Sequence, residues 1–348
     1  MIAFGPVMEM VRVALVGCGR ISAKHVNALE ECKDVKIVAV CDIRHGRAQI
    51  LAAKLGCNCY FDHLELLEKE GFDLIDICTP NDTHPQIAID AARKGKHVLT
   101  EKPMALSVED CDRMIGECEK NNVRLFVVKQ NRFNPPIMKT REALERGRFG
   151  KLFLGNVTVR WARPQEYYDG NEWHGTKDRD GGMLFTQASH HVDMLQWMLG
   201  PVSSVKAYAG TLTHDIETED NAVVALKFMS GALGVIESST SIFPRNMEGS
   251  LTLLGEKGSV KVGGMAMNKI DHWEFSDFEN DDEHIKDCAT TPPNVYGFGH
   301  NEVVRSVVDS LKGNKIAWEV DGHEGKKSVK LIRAIYESAE TGREIFLD

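Results

Sequence analysis

Lys102 stands between Thr100-Glu101 and Pro103, and His190 lies within Gly181-Gly182-Met-Leu-Phe-Thr186-Gln187-Ala-Ser-His190-His191-Val-Asp193. These residue types can move protons at a hydroxyl group. A histidine titrates near neutrality and suits removal of an alcohol proton. A lysine can donate to the same oxygen and stabilise the alkoxide that develops as a hydride leaves carbon. The spacing predicts a helix beginning near Gly182 with Thr186, His190 and Asp193 along one face. His191 lacks that alignment and reads as structural. The plainer interpretation makes Lys102 a surface charge and His190 a satisfied core residue. Imidazole and carboxylate so close together also suit a metal, but no second cluster at ligand spacing accompanies them, so none is expected.

A second constellation opens the chain. The apolar run Val11-Arg-Val-Ala-Leu-Val16 ends in Gly17-Cys-Gly19 and gives way to a helical pattern from Ser22. Gly17 permits a tight turn, Gly19 lets the backbone approach a pyrophosphate, and the helix start offers N–H groups and a positive dipole end. Arg20 and Ile21 complete that turn. Ser22 holds the place of a third glycine and is small enough for close packing. At the end of the next apolar run stands Asp42, which can accept hydrogen bonds from both hydroxyls of an adenosine ribose. Arg44 could meet a 2′-phosphate, but the Asp42 carboxylate would repel it. The expected cofactor is NAD.

Elements that position these groups follow from the periodicity. Up to about residue 130, short apolar runs (11–16, 35–41, 74–78, 97–100, 124–129 and a weaker one near 59–61) alternate with helical patterns. This βαβα rhythm predicts a doubly wound parallel sheet, an α/β Rossmann domain over residues 1–130. Ligands bind beyond the carboxyl ends of such strands. Thr79-Pro-Asn81-Asp-Thr-His84 and Thr100-Glu101-Lys102-Pro103 fall there, and Lys102-Pro103 is a candidate cis peptide. From residue 131 to 348 the rhythm changes to long alternating runs with hairpin turns, one helix over 184–199, and two helices at the end. This predicts an α+β domain with a large, mainly antiparallel sheet. An uncovered sheet face invites a second subunit, so a homodimer or homotetramer is expected.

The composition is that of an ordinary soluble protein: 348 residues, 43% hydrophobic and 27% charged. A net charge of −9 without a basic block argues against nucleic acid. No apolar stretch approaches the roughly 20 residues of a membrane span. The opening residues lack a basic segment and do not read as a secretory signal, with Met8 or Met10 an alternative start. Nine cysteines occur without a Cys-x-x-Cys pair, and several lie inside apolar runs. A reducing cytoplasm suits them. The acidic run Asp277-Phe-Glu-Asn-Asp-Asp-Glu283 reads as a solvated loop.

Gly17-x-Gly19, Asp42, Thr79-Pro-Asn81-x-x-His84, Glu101-Lys102-Pro103 and Gly181-Gly182…His190-x-x-Asp193 stand in the order and spacing of the Gfo/Idh/MocA oxidoreductases, which the chain resembles over nearly its whole length. The resemblance implies hydride transfer from a sugar or polyol to NAD or NADP, with Lys102 and His190 as catalytic residues. It places Thr79, Asn81, His84, Glu101, Lys102 and Gln130 at the cofactor beside Gly17, Gly19, Arg20, Ile21 and Asp42. The family commonly carries an aspartate where this chain has Thr186. A threonine cannot act as a base at neutral pH, so proton removal falls to His190, assisted by Lys102.

The stretches around Gln130, Arg163, Gln187, Arg245 and Tyr296 are similar to one branch, the UDP-N-acetylglucosaminuronate 3-dehydrogenases. That likeness implies oxidation of the sugar C3 hydroxyl ahead of amination, in surface-polysaccharide synthesis. A UDP-uronate carries a diphosphate and a carboxylate, which arginine engages well. Lys129, Arg132, Arg163 and Arg245 are the expected cations, with Asn131, Tyr167, Thr186, Gln187 and Tyr296 beside Lys102 and His190 as further substrate contacts. Tyr168 is an alternative stacking residue. A dehydrogenase of a free sugar or inositol is the nearest rival, and a non-catalytic NAD-binding sensor the rival from another class.

Overall fold

The computed structural model describes residues 9–292, 294–314, 316 and 320–347. The alternative start at Met8 falls outside them. The described chain divides into two compact units. One runs to Lys129 and includes His300–Lys326, and the other takes Gln130–Gly299 with the residues from Lys327 onward.

The first unit is built on β1 (Val11–Val16), β2 (Val35–Cys41), β3 (Asn58–Tyr60), β4 (Leu74–Ile77), β5 (His97–Thr100) and β6 (Leu125–Val127). They form one sheet in the order β3-β2-β1-β4-β5-β6, and every pairing is parallel. The order reverses at β1, the topological switch where doubly wound sheets bind ligands. Between the strands run α1 (Ser22–Glu31), α2 (His45–Leu55), α3 (His63–Lys69), α4 (His84–Arg93) and α5 (Val108–Lys120). Their ends follow local chemistry. Asp62 caps α3 by accepting the Leu64 and Glu65 N–H groups, and Ser107 caps α5 through the Asp110 N–H. Gly56, at φ 63°, ends α2 in the left-handed region.

The second unit opens with α6 (Pro135–Glu145) and β7 (Leu152–Arg160), followed by α7 (Gln165–Asp169), α8 (Met183–Thr186) and α9 (Ser189–Leu199). The strands β8 (Val202–Gly210), β9 (Asn221–Phe228), β10 (Leu233–Ser239), β11 (Glu248–Gly255), β12 (Gly258–Gly263) and β13 (Lys269–Phe275) come next. The chain then enters α10 (His300–Leu311) in the first unit. It ends with α11 (Gly322–Thr341), whose residues belong to both units, and the short β14 (Ile345–Phe346). The second sheet has eight strands in the order β13-β12-β11-β7-β10-β9-β8-β14, all antiparallel except the β7/β10 pair. Leu195 and Leu199 of α9 lie against Gly155 of β7, where a side chain would collide with them. The alternate face leaves Tyr208, Val223 and Val235 exposed.

Two expectations need correction. His300–Lys326 packs with the first unit rather than the second, because α10 lies along α1. The single helix expected over 184–199 is interrupted at Gln187-Ala188. Both of those N–H groups return to the Met183 carbonyl, and a new helix starts at Ser189. Thr186 and His190 therefore do not share one helical face.

Gly17 has φ +97°, and a Cβ there would lie 2.5 Å from the Cys78 carbonyl oxygen. Gly116, exposed within α5, has open space around it. Gly17→Ala should lower stability by about 1–3 kcal/mol, whereas Gly116→Ala should raise it by about 0.5–1 kcal/mol. Urea denaturation of both variants checks this, and equal effects would contradict the packing at Gly17.

Candidate active site

The turn after β1 has the shape that a dinucleotide needs. Gly17 lies against the β4 strand end at Cys78, and the space beside Gly19 is open to 4.0 Å, where Arg47 Nη1 stands. Ser22 donates its hydroxyl to the Gly19 carbonyl at 2.7 Å and so tightens the turn from the position of the third glycine. Asp42 is oriented by the backbone. Its Oδ2 accepts the Cys18 N–H and its Oδ1 the Arg44 N–H, each at 2.7 Å. No side chain caps α1, so its first N–H groups face the turn as an anion cradle would require. Arg20 is exposed at the same turn. These features fit NAD.

The strand-end motifs are tied together below this turn. His84, fully buried, brings Nδ1 to 2.9 Å from the Pro103 carbonyl and Nε2 to 2.9 Å from the Thr79 carbonyl. Burial pulls its pKa below the ordinary value. Both nitrogens are spent on backbone, so His84, expected at the cofactor, braces the two motifs. The Lys102–Pro103 peptide is cis, and Lys102 is half-buried. Asn81 is buried, and Thr79 accepts the Thr83 hydroxyl.

Glu101, also expected at the cofactor, is buried. Its carboxylate turns inward, taking His25 Nε2 at 2.9 Å on Oε1 and the Lys102 N–H at 2.9 Å on Oε2. His25 in turn meets both oxygens of Asp76 through Nδ1, at 2.9 and 2.8 Å. His300 of α10 completes the cluster, its Nε2 3.8 Å from Glu101 Oε1. These side chains are of metal-ligand type. With a carboxylate on each nitrogen, however, His25 is a histidinium and has no lone pair to offer. The sequence carried one signal for this cluster: Asp76 in the apolar strand Leu74-Ile-Asp-Ile77 is an acid that burial obliges to find a cation.

In the second unit, His190 is buried at the start of α9. The adjacent His191 is fully buried with its ring edge-on to Trp161, and burial pulls its pKa down to about 3, so it stays neutral. Thr186 donates its hydroxyl to Asp180, which also accepts the Gly175 N–H at 2.8 Å. Asp180 is a site residue that the sequence reading missed. Glu219 fixes the start of α8 by accepting the Leu184 N–H at 2.9 Å and the Tyr336 hydroxyl at 2.7 Å. Burial pushes the Glu219 pKa up to about 7. Gly182, at φ +115°, lies so close to Glu219 and Tyr336 that any side chain would overlap them.

Arg163, Tyr167 and Gln187 are brought together. The Arg163 guanidinium lies 5.2 Å from the Trp161 ring and 5.5 Å from the Tyr167 ring, while Gln187 Nε2 donates to the Tyr167 hydroxyl at 3.3 Å. Burial, with Asp180 and Tyr296 nearby, raises the Tyr167 pKa. Tyr168 instead packs inside, its hydroxyl on Thr240. Gln130 Oε1, Gln187 Oε1 and both amide atoms of Asn131 are buried with no hydrogen-bond partner among the described residues.

The expected cations separate into two kinds. Arg132 pairs bidentately with Asp193, at 2.8 Å on both oxygens, and both side chains are buried, so it braces α9. Lys129 is buried. Arg245 is exposed in the loop after the cis Phe243–Pro244 peptide, and Tyr296 is half-buried.

Residues 11–129 match the family model described as "Oxidoreductase family, NAD-binding Rossmann fold", and residues 137–261 match the GFO/IDH/MocA C-terminal domain. The chain is similar to the WlbA dehydrogenase of Bordetella pertussis, solved with NADH and UDP-GlcNAcA. The two are 43% identical, with a TM-score of 0.95 and 99% of each chain covered. The Chromobacterium violaceum WlbA, solved with the same two ligands, is 42% identical with a TM-score of 0.94, covering 100% of this chain and 99% of that one. Myo-inositol 2-dehydrogenase of Thermotoga maritima is 33% identical over 66% of this chain and 68% of its own. With both domains matched in order, the chain belongs to the Gfo/Idh/MocA family of NAD-dependent oxidoreductases.

Proposed function

We propose that this chain oxidises the C3 hydroxyl of UDP-N-acetyl-D-glucosaminuronate to the ketone. The observation that carries the reading is its full-length likeness, at 43% identity, to a dehydrogenase solved with NADH and UDP-GlcNAcA. Oxidation of a secondary alcohol removes a proton from oxygen and a hydride from carbon, and bound NAD supplies the hydride acceptor. His190 takes the hydroxyl proton. Lys102 donates a hydrogen bond to the same oxygen and stabilises the charge that develops there. The fixed Lys102 backbone, held by Glu101 and followed by the cis peptide, sets the origin of that side chain.

Recognition of the nucleotide sugar falls to the second unit. Arg163, flanked by Trp161 and Tyr167, presents a guanidinium suited to carboxylate or phosphate. Arg245 supplies an exposed cation. Gln187 and Asn131 have amide capacity for sugar or uracil polar groups. The Thr186 proton is committed to Asp180, so its oxygen offers lone pairs and accepts from a substrate hydroxyl or amide N–H. The described cysteines are all free thiols, which supports a reducing, cytoplasmic setting.

A second reading, oxidation of a free inositol, is favoured by the likeness to myo-inositol 2-dehydrogenase. Absorbance of reduced nicotinamide separates the two. With NAD in excess, UDP-N-acetylglucosaminuronate should give reduction, and UDP-N-acetylglucosamine and myo-inositol should not. Reduction with inositol alone would replace the nucleotide-sugar reading. If the uronate is silent, addition of 2-oxoglutarate tests whether a tightly held cofactor must first be recycled. Lys102→Ala and His190→Ala should each lower turnover at least about a hundredfold, and wild-type turnover in either would remove that residue from the reaction.

The exposed face bearing Tyr208, Val223 and Val235 is flat and partly apolar, which suits a second copy of the chain. Light scattering should give a dimer or tetramer mass. A monomer at micromolar concentration would contradict this assignment.

A further inference from the structure

His25 and Asp76 belong to neither the dinucleotide turn nor a strand-end motif, yet they occupy the centre of the first unit. Asp76 is fully buried in the middle of β4, and His25 lies on the buried face of α1. Burial alone would lower the histidine pKa, but Asp76, with Cys78 beside it, carries it well above the ordinary value. Burial would likewise raise the Glu101 pKa. The hydrogen bond from His25, the His300 imidazole nearby and the charges of His25 and Lys102 hold it well below the usual carboxylate range. His300, itself lowered by burial, stands edge-on to His25 with ring centroids 5.4 Å apart and feels Lys24 as well. The result is one continuous chain of contacts, from Asp76 through both nitrogens of His25 to Glu101 and on to the Lys102 N–H.

We propose that His25 is a positioning residue for Lys102: by bridging Asp76 and Glu101 it locks the carboxylate that holds the Lys102 backbone, and so fixes where the lysine side chain leaves the strand end. A Glu101 free to rotate would release the Lys102 N–H and spread the lysine over several directions. Catalytic groups displaced by about an ångström lose rate by orders of magnitude while binding persists. The inference rests on the reading of Lys102 as the group that acts on the substrate hydroxyl.

His25→Gln tests it, because a glutamine amide cannot carry charge or donate to carboxylates on both sides. The variant should bind NAD within threefold of wild type by fluorescence titration. Its kcat for UDP-N-acetylglucosaminuronate should fall at least tenfold, with KM moved by less than threefold. Combined with Lys102→Ala, it should add less than threefold to the loss that Lys102→Ala causes alone. A kcat loss below tenfold, a loss of NAD binding, a larger change in KM, or an extra loss of threefold or more in the double variant would each overturn the proposal. Lys102→Ala at wild-type turnover is a separate failure, of the underlying reading, and is visible in that single variant. If His25→Gln does not fold, Asp76→Asn, which keeps the shape of the site, enters the same cycle with the same limits.

Discussion

A charged histidine between two buried carboxylates is costly unless every partner is in place, and that requirement organises the first unit. Taking such ions out of water costs several kcal/mol each, recovered only by close, well-aligned pairing. His25 comes from α1, Asp76 from β4, Glu101 from the end of β5 and His300 from α10. The helix that follows the dinucleotide turn is thereby bonded to the strand end that carries Lys102. Gly17 closes the same region from above, because only a residue without a side chain fits against the Cys78 carbonyl. The helix after the cofactor turn and the lysine are thus joined through one set of contacts.

The second unit solves a comparable problem with different residues. The family resemblance implies a carboxylate at the position of Thr186, and this chain brings Asp180 to the Thr186 hydroxyl. An acid thus remains in hydrogen-bond contact with Thr186. Glu219 and Tyr336 hold the start of α8 from behind, and the Arg132–Asp193 pair braces α9. His190 therefore sits at the start of α9, which is braced through Asp193 and preceded by a short helix fixed at its own start.

Features governed by neighbours in sequence were the most legible. The Gly-x-Gly turn, Asp42 and the alternation of strands and helices follow from local geometry and periodicity, and the family model for the Rossmann fold matches that stretch. Pairings between distant residues were not legible. Arg132 and Asp193 are 61 positions apart, and a buried arginine reads like an exposed one until its partner is known. His84 has the residue type of a ligand-binding group, but its two nitrogens are taken by carbonyls that only the fold brings near. The break at Gln187-Ala188 contains neither glycine nor proline, so periodicity runs through it unmarked.

The proposed reaction takes hydride from C3 of the nucleotide sugar. Substrate carrying deuterium at C3 alone tests it most directly, with the reduced cofactor analysed by mass spectrometry after turnover. Oxidation at C3 should leave one deuterium in the reduced nicotinamide for each ketone formed. Reduced nicotinamide containing only protium, formed while the label stays on the sugar, would place the oxidation at another carbon and contradict it.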